Sequence, residues 1–288
     1  MLPAAIHISS GAMERPVALI HGAFSSPAFW RGPLPESIKG RAAIAYALPA
    51  HGPWMLDDAR LDGVLRVERL ARLYALALKR DFGGRPATLV GHSTGAFVAL
   101  AVAAKAPELV SGLVLSGVFA AGERLAGRCL LRRLVSHPVL GPIAFDLAFR
   151  AWTSSATAFV QGLSSLMASP SSGLDAPYLA VCEDVRSDLL RSRPRGLHRF
   201  AAWLQKANIE TALSRVTQPA LVISGADDQV VPADEQRLVA KLLPRADYIE
   251  ISDCGHLAMA EKPSAFCDFT NDWLRQHEKS VYAGAAWA

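Results

Sequence analysis

Six short apolar runs separated by stretches of helix length constrain this chain more than any other feature. They lie at residues 17–20, 43–48, 87–90, 113–115, 220–223 and 248–251. The segments between them read as helices. Residues 65–79 carry Leu65, Leu70, Leu73 and Leu76 at helical spacing. Residues 95–106 are stopped by Pro107, and residues 233–243 by Pro244. A last helix, 263–276, has Pro263 at its first turn. Strands that alternate with helices predict an α/β fold, a mostly parallel sheet flanked by helices, because a parallel connection needs a crossover of about this length.

The alternation stops between residues 120 and 207. That stretch holds no convincing β-run, and Pro138, Pro142, the 170–173 Pro-Ser-Ser-Gly and Pro194 break it. It predicts short helices inserted between two strands. The expected organisation is therefore a core of 1–119 and 208–288, with a helical cap at 120–207. Residues 279–288 are expected to pack loosely.

Composition narrows the function classes. Of 288 residues, 51% are apolar and mean hydropathy is +0.21, an excess carried largely by alanine, of which there are 49. The longest uncharged apolar stretch, 96–104, is far below the roughly 20 residues of a spanning helix. No membrane span is expected. The formal charge of +4 conceals a division: +4 over 1–119, +4 over 120–205 and −4 over 206–288. Two arginine clusters occupy the middle segment, Arg124, Arg128, Arg132 and Arg133, then Arg186, Arg191, Arg193, Arg195 and Arg199. They read either as a solvated helix face or as a surface for an acidic substrate or carrier. No basic run is interleaved with aromatics, so no nucleic-acid partner is expected. Cys129, Cys182, Cys254 and Cys267 show no C-x-x-C spacing. Residues 1–10 have neither a basic start nor a long apolar core, and a cytoplasmic protein with reduced thiols is expected.

Gly91-His92-Ser93-Thr94-Gly95 is a G-x-S-x-G sequence between a predicted buried strand and a predicted helix. That strand–turn–helix context makes it a nucleophile elbow, with Ser93 on a sharp turn and small neighbours giving it room. The helix start behind the hydroxyl favours developing negative charge. His21-Gly22-Ala23-Phe24 follows the first apolar run, and Asp253-Cys254-Gly255-His256-Leu257 follows the last.

With these motifs the chain resembles the α/β-hydrolase superfamily over nearly its whole length, least so from 120 to 207. The resemblance implies a catalytic set of Ser93, an acid and His256, in that order. Glu261-Lys262-Pro263 downstream of His256 extends the likeness. In Gly225-Ala226-Asp227-Asp228-Gln229-Val230-Val231-Pro232 the family's spacing selects Asp228, with Asp227 as the alternative. An acid after the 113–115 run, used in some relatives, has no counterpart in Ser116-Gly117-Val118. The implied oxyanion hole is the backbone N–H of Ala23 and of Thr94, and His21 is implied to be structural. No metal or cofactor is implied. One departure is the loop Ala47-Leu48-Pro49-Ala50-His51-Gly52, where relatives commonly carry Asp-Leu-Pro-Gly-His-Gly; it affects the pocket rim rather than the catalytic set.

Phe24, Trp30, His92, Phe145, Phe149, Trp152, Phe159, Trp203 and Leu257 are the expected pocket residues. Such an apolar, partly aromatic pocket fits an ester or thioester of a hydrophobic small-molecule acid. A coenzyme A or carrier-protein thioester is compatible with a basic cap. The same motifs serve C–C bond hydrolases, lactonases and other chemistries, and a non-catalytic ligand-binding protein can retain the set.

Overall fold

The computed structural model describes residues 1–125, 137, 140–169, 174 and 176–285. Arg128, Cys129, Arg132, Arg133, Pro138 and the 170–173 break lie outside these residues. Seven strands form one sheet: β1 (Ala5–Ser10), β2 (Ala12–Ile20), β3 (Arg41–Tyr46), β4 (Ala87–His92), β5 (Val110–Ser116), β6 (Ala220–Gly225) and β7 (Ala246–Ile251). Their order is β1-β3-β2-β4-β5-β6-β7, and every pairing is parallel except β1 with β3. The six apolar runs became β2 to β7. The antiparallel edge strand β1 has a half-exposed sequence and no apolar run to announce it.

The helices are α1 (Glu36–Lys39), α2 (Asp58–Val64), α3 (Val67–Phe82), α4 (Thr94–Lys105), α5 (Gly141–Thr153), α6 (Ala156–Ser164), α7 (Ala176–Arg191), α8 (Pro194–Leu204), α9 (Ala233–Leu242), α10 (Ala258–Glu261) and α11 (Pro263–Ala285). The last runs past residue 276, to Ala285. Strand residues alternate between two buried layers. Ala18, Ile20, Tyr46 and Leu89 meet α3 and α4 on one face. Val17, Leu19, Val90 and Val114 meet Phe266, Trp273 and Leu274 of α11 on the other. Helix α4 is buried from Thr94 through Ala103. Its sequence therefore carries no polar face, and length and Pro107 rather than periodicity announce it.

Helices α5 to α8 lie between β5 and β6. The chain leaves at Ala120 and returns at Ile209, where the two ends touch: Ile209 N–H donates to the Ala120 carbonyl (2.9 Å) and Gly122 N–H to the Ala207 carbonyl (2.8 Å). Among the described residues, no helix is long and apolar enough to cross a membrane.

Candidate active site

The carboxyl ends of the parallel strands carry the site residues. β4 ends at His92, Ser93 holds φ +53°, ψ −117°, and α4 begins at Thr94. A positive φ in a residue with a Cβ is strained and persists only where the surroundings enforce it. Here they do. A Cβ at Gly95 would stand 2.0 Å from the Ile20 carbonyl oxygen, and one at Gly91 would stand 2.6 Å from Ala96 Cα. The two glycines let the helix start pack directly on β2 and β4, and Ser93 N–H is anchored on the Ser116 carbonyl (2.8 Å).

Asp228 follows β6 and accepts four hydrogen bonds. Its Oδ1 takes Val230 N–H and Val231 N–H, both at 2.8 Å. Its Oδ2 takes Gln236 Nε2–H at 3.0 Å and His256 Nδ1–H at 2.8 Å. Burial pushes this carboxyl up, but the imidazole and the backbone donors outweigh it and hold it below the usual range. Asp227, the alternative acid, is exposed. Because His256 Nδ1 carries the proton bonded to Asp228, its Nε2 is left with a lone pair.

The imidazole of His256 is held on two further sides. Gly117, at φ +62° after β5, gives it room, since a Cβ there would lie 2.8 Å from His256 Cε1. His92 lies on another side, ring centroids 4.8 Å apart, and its Nε2–H donates to the His256 carbonyl at 3.0 Å. Burial, then the neighbouring His256, depresses His92 to about 3, so it is neutral.

Two more buried histidines order the loop after β2. His21 Nε2 accepts Leu48 N–H (3.1 Å) and its Nδ1–H meets the Gly22 carbonyl (2.7 Å). His51 Nε2 accepts Phe24 N–H (2.9 Å) while its Nδ1–H donates to the Pro49 carbonyl (2.9 Å). A backbone N–H on Nε2 fixes each ring as the neutral Nδ1–H tautomer. Burial accordingly drives His21 well below its ordinary value and His51 to about 4. The bond from Phe24 N–H to His51 fixes the loop one residue beyond Ala23.

Ser93 and His256, 8% and 5% exposed, open on one cavity of about 600 Å³ beneath α5 to α8. Ala23 and Thr94 line it too, as do Phe24, His92, Phe149, Trp152 and Leu257. Trp30, Phe145, Phe159 and Trp203, expected there, do not. Trp30 turns to the opposite face of the sheet, into the layer with Leu19 and Ile38, and its neighbour Phe29 lines the cavity instead. Phe145 is fully buried behind Phe24 and Phe149, at 5.7 and 6.2 Å between ring centroids. Phe159 is fully buried against Trp152, 4.7 Å away, and its carbonyl holds the Trp152 indole N–H. Trp203 packs against Phe97 and Phe200, while Ala201 and Leu204 of the same helix face the cavity. Gly117, Gln236, Phe29, Tyr178 and Cys182 belong to the site without having been legible in the sequence. Only the glycine after β5 and the amide one turn into α9 had a signal in the chain, and both needed the tertiary arrangement to be read.

A model of the alpha/beta hydrolase family matches residues 17–269. The chain belongs to this family. Among relatives within the hydrolase family, it is 25% identical to the pimeloyl-(acyl-carrier protein) methyl ester esterase of Nitrosomonas europaea over 274 residues, 91% of this chain and 97% of that one. Two solved hydrolases share its fold. A thermophilic esterase from Thermogutta terrifontis has a TM-score of 0.68 at 22% identity, over 95% of this chain and 93% of that one. An enol-lactonase from Burkholderia xenovorans LB400 has 0.69 at 19% identity, over 94% and 96%. Among the described residues, no group of three or more His, Cys, Asp or Glu side chains is arranged to hold a metal ion.

Proposed function

We propose that the protein is a serine hydrolase that cleaves an ester of a hydrophobic small-molecule acid through an acyl-enzyme. The observation that carries this reading is the shared cavity. Ser93 on its strained turn and His256, oriented by Asp228, face the same apolar space. His256 Nε2 takes the Ser93 proton as Oγ attacks the ester carbonyl. The N–H groups of Ala23 and Thr94 receive the oxyanion; losing one such donor typically costs about 2.7–4 kcal/mol of transition-state stabilisation. His256 then protonates the departing alcohol, and water, activated by the same imidazole, releases the acid. Asp228 holds the imidazole in the required tautomer and stabilises its cation. Residues 120–207 act as a cap that supplies the apolar wall. Among the described residues, none that lines the cavity is Lys, Arg, Asp or Glu, which favours an uncharged substrate body.

The test is labelling by a fluorophosphonate probe. Wild type labels and Ser93→Ala does not. Equal labelling of the two, or none of wild type, overturns the proposal and favours a ligand-binding role.

A carrier-borne or coenzyme A ester or thioester is the second reading. The Nitrosomonas relative favours it, being by name an esterase for a carrier-bound ester. The arginines favour it less. Arg186 pairs with Glu183, Arg191 with Asp188, Arg195 with Asp58, and Arg199 with Asp58 and Asp62. Arg124 pairs with Glu210 and Glu235.

A further inference from the structure

We propose that Glu261 is a positioning residue that fastens His256 and the overlying helical segment into one unit. The inference rests on the reading of His256 as the base. Glu261 sits at the end of α10 and its two carboxylate oxygens serve two separate parts of the chain. Oε2 accepts Gly255 N–H at 2.7 Å, one residue before His256. Oε1 accepts Ala168 N–H at 2.9 Å and Ser169 N–H at 3.4 Å, in the turn that follows α6. Hydrogen bonds to an ionised acceptor are the stronger kind, and these bridge residues about ninety positions apart in sequence.

The surroundings make the bridge a close one. A Cβ at Gly255 would lie 2.6 Å from both Ala168 N and the Leu166 carbonyl oxygen, so the two backbones are in direct contact. His256 N–H itself donates to that Leu166 carbonyl at 2.8 Å. Leu163, Ser165 and Leu166 also line the cavity. One turn therefore forms the wall that a substrate would press on and holds the amide of the residue that would take the Ser93 proton. Glu261 is the group that holds both sides of this contact, and a short side chain or a neutral one cannot do so. Aspartate falls a methylene short, and a carboxamide has only one oxygen to offer two segments of N–H donors. Cap placement and imidazole placement are thereby a single equilibrium, and a wall displaced by an ill-fitting substrate carries His256 away from Ser93.

Glu261→Ala and Glu261→Gln test this on the full chain. The readouts are steady-state hydrolysis of an aryl ester, thermal melting, and the low-field NMR proton of the His256–Asp228 hydrogen bond. In Glu261→Ala, kcat is expected to fall by about tenfold or more with KM within about twofold, because misplacement on the order of 1 Å costs up to about 100-fold. The low-field proton broadens or disappears in a chain that remains folded. Glu261→Gln, which keeps one acceptor oxygen, gives a smaller fall in kcat and a weakened signal, and decides the question alone if the alanine variant does not fold. Folded variants that lose melting temperature but keep the proton signal and kcat overturn the proposal and leave Glu261 a structural residue. If wild type neither turns over the ester nor takes the fluorophosphonate label, the hydrolase reading fails separately. The proton signal then still decides the positioning role, since it requires no turnover.

Discussion

Gly117→Ala separates two costs that usually arrive together. The added Cβ would stand 2.8 Å from His256 Cε1 and 3.1 Å from Nδ1, whereas ordinary contact begins near 3.4 Å. The imidazole must therefore yield by about 0.6 Å. It has little room to do so, with the Asp228 carboxylate at 2.8 Å and the His92 ring behind it. Scaled against a loss of up to about 100-fold for a 1 Å misplacement, kcat should fall by about tenfold, with KM little changed. The φ of +62° adds a backbone cost of about 1–2 kcal/mol for any L-residue, which lowers the melting temperature by about 2–3 °C in a chain of this size. Gly83 at the end of α3 is the control. It has the same φ of +62°, and its added Cβ would meet only an Arg85 side-chain atom at 3.9 Å. Gly83→Ala should show the thermal loss and none of the kinetic loss. Aryl ester hydrolysis at 25 °C, with melting curves for both variants, provides the comparison. Unchanged kcat in Gly117→Ala, or equal kinetic loss in the two variants, would refute the claim that Gly117 sets the imidazole position.

Two further outcomes follow from the buried groups. His21, His51 and His92 are each held neutral by burial, with folded values below 6.5, to about 4 for His51 and about 3 for His92. The unfolded chain protonates them below pH 6.5 and the folded chain does not, so stability is full above that pH and falls as pH drops toward 4. Near pH 5 the three contribute about 4 kcal/mol per pH unit; urea unfolding at pH 7.5, 6 and 5 measures this, and a flat profile contradicts it. Phe149→Ala opens the cavity beneath α5 to α8 and should shift an aryl ester chain-length series toward longer chains. Since one side of the ring already faces the cavity, the stability cost should be about 3 kcal/mol or less, and an unchanged chain-length profile argues that Phe149 does not contact substrate.

The parts of the site legible in the chain are those whose geometry is local. The elbow could be read because Gly91, Ser93 and Gly95 sit between a β-run and a helix, so the neighbours in sequence are the neighbours in space. The segment after β6 likewise offered Asp227 and Asp228, and burial of one and exposure of the other distinguishes them. The pocket was not legible in the same way. Trp30 and Phe29 are adjacent, and the direction of one turn sends Phe29 to the cavity and Trp30 to the other sheet face. Phe145 and Phe159 have the same composition signal as Phe149 and Trp152, yet form a second layer behind them. The segment Ser116-Gly117-Val118 offers no carboxylate; what Gly117 supplies is the space for a ring that comes from residue 256.

The sequence by itself determined strands β2 to β7 and the strand-to-helix turn at Ser93. These follow from hydrophobic period, Gly and Pro placement, and chain order, all of which act over a few residues. Tertiary structure alone decided which aromatics see the cavity, that the three buried histidines are neutral, that Gln236 completes the shell of Asp228, and that Glu261 joins residues 168 and 255. Each of these depends on burial and on hydrogen bonds between residues far apart in the chain. Side-chain direction and desolvation exist only once the layers have packed.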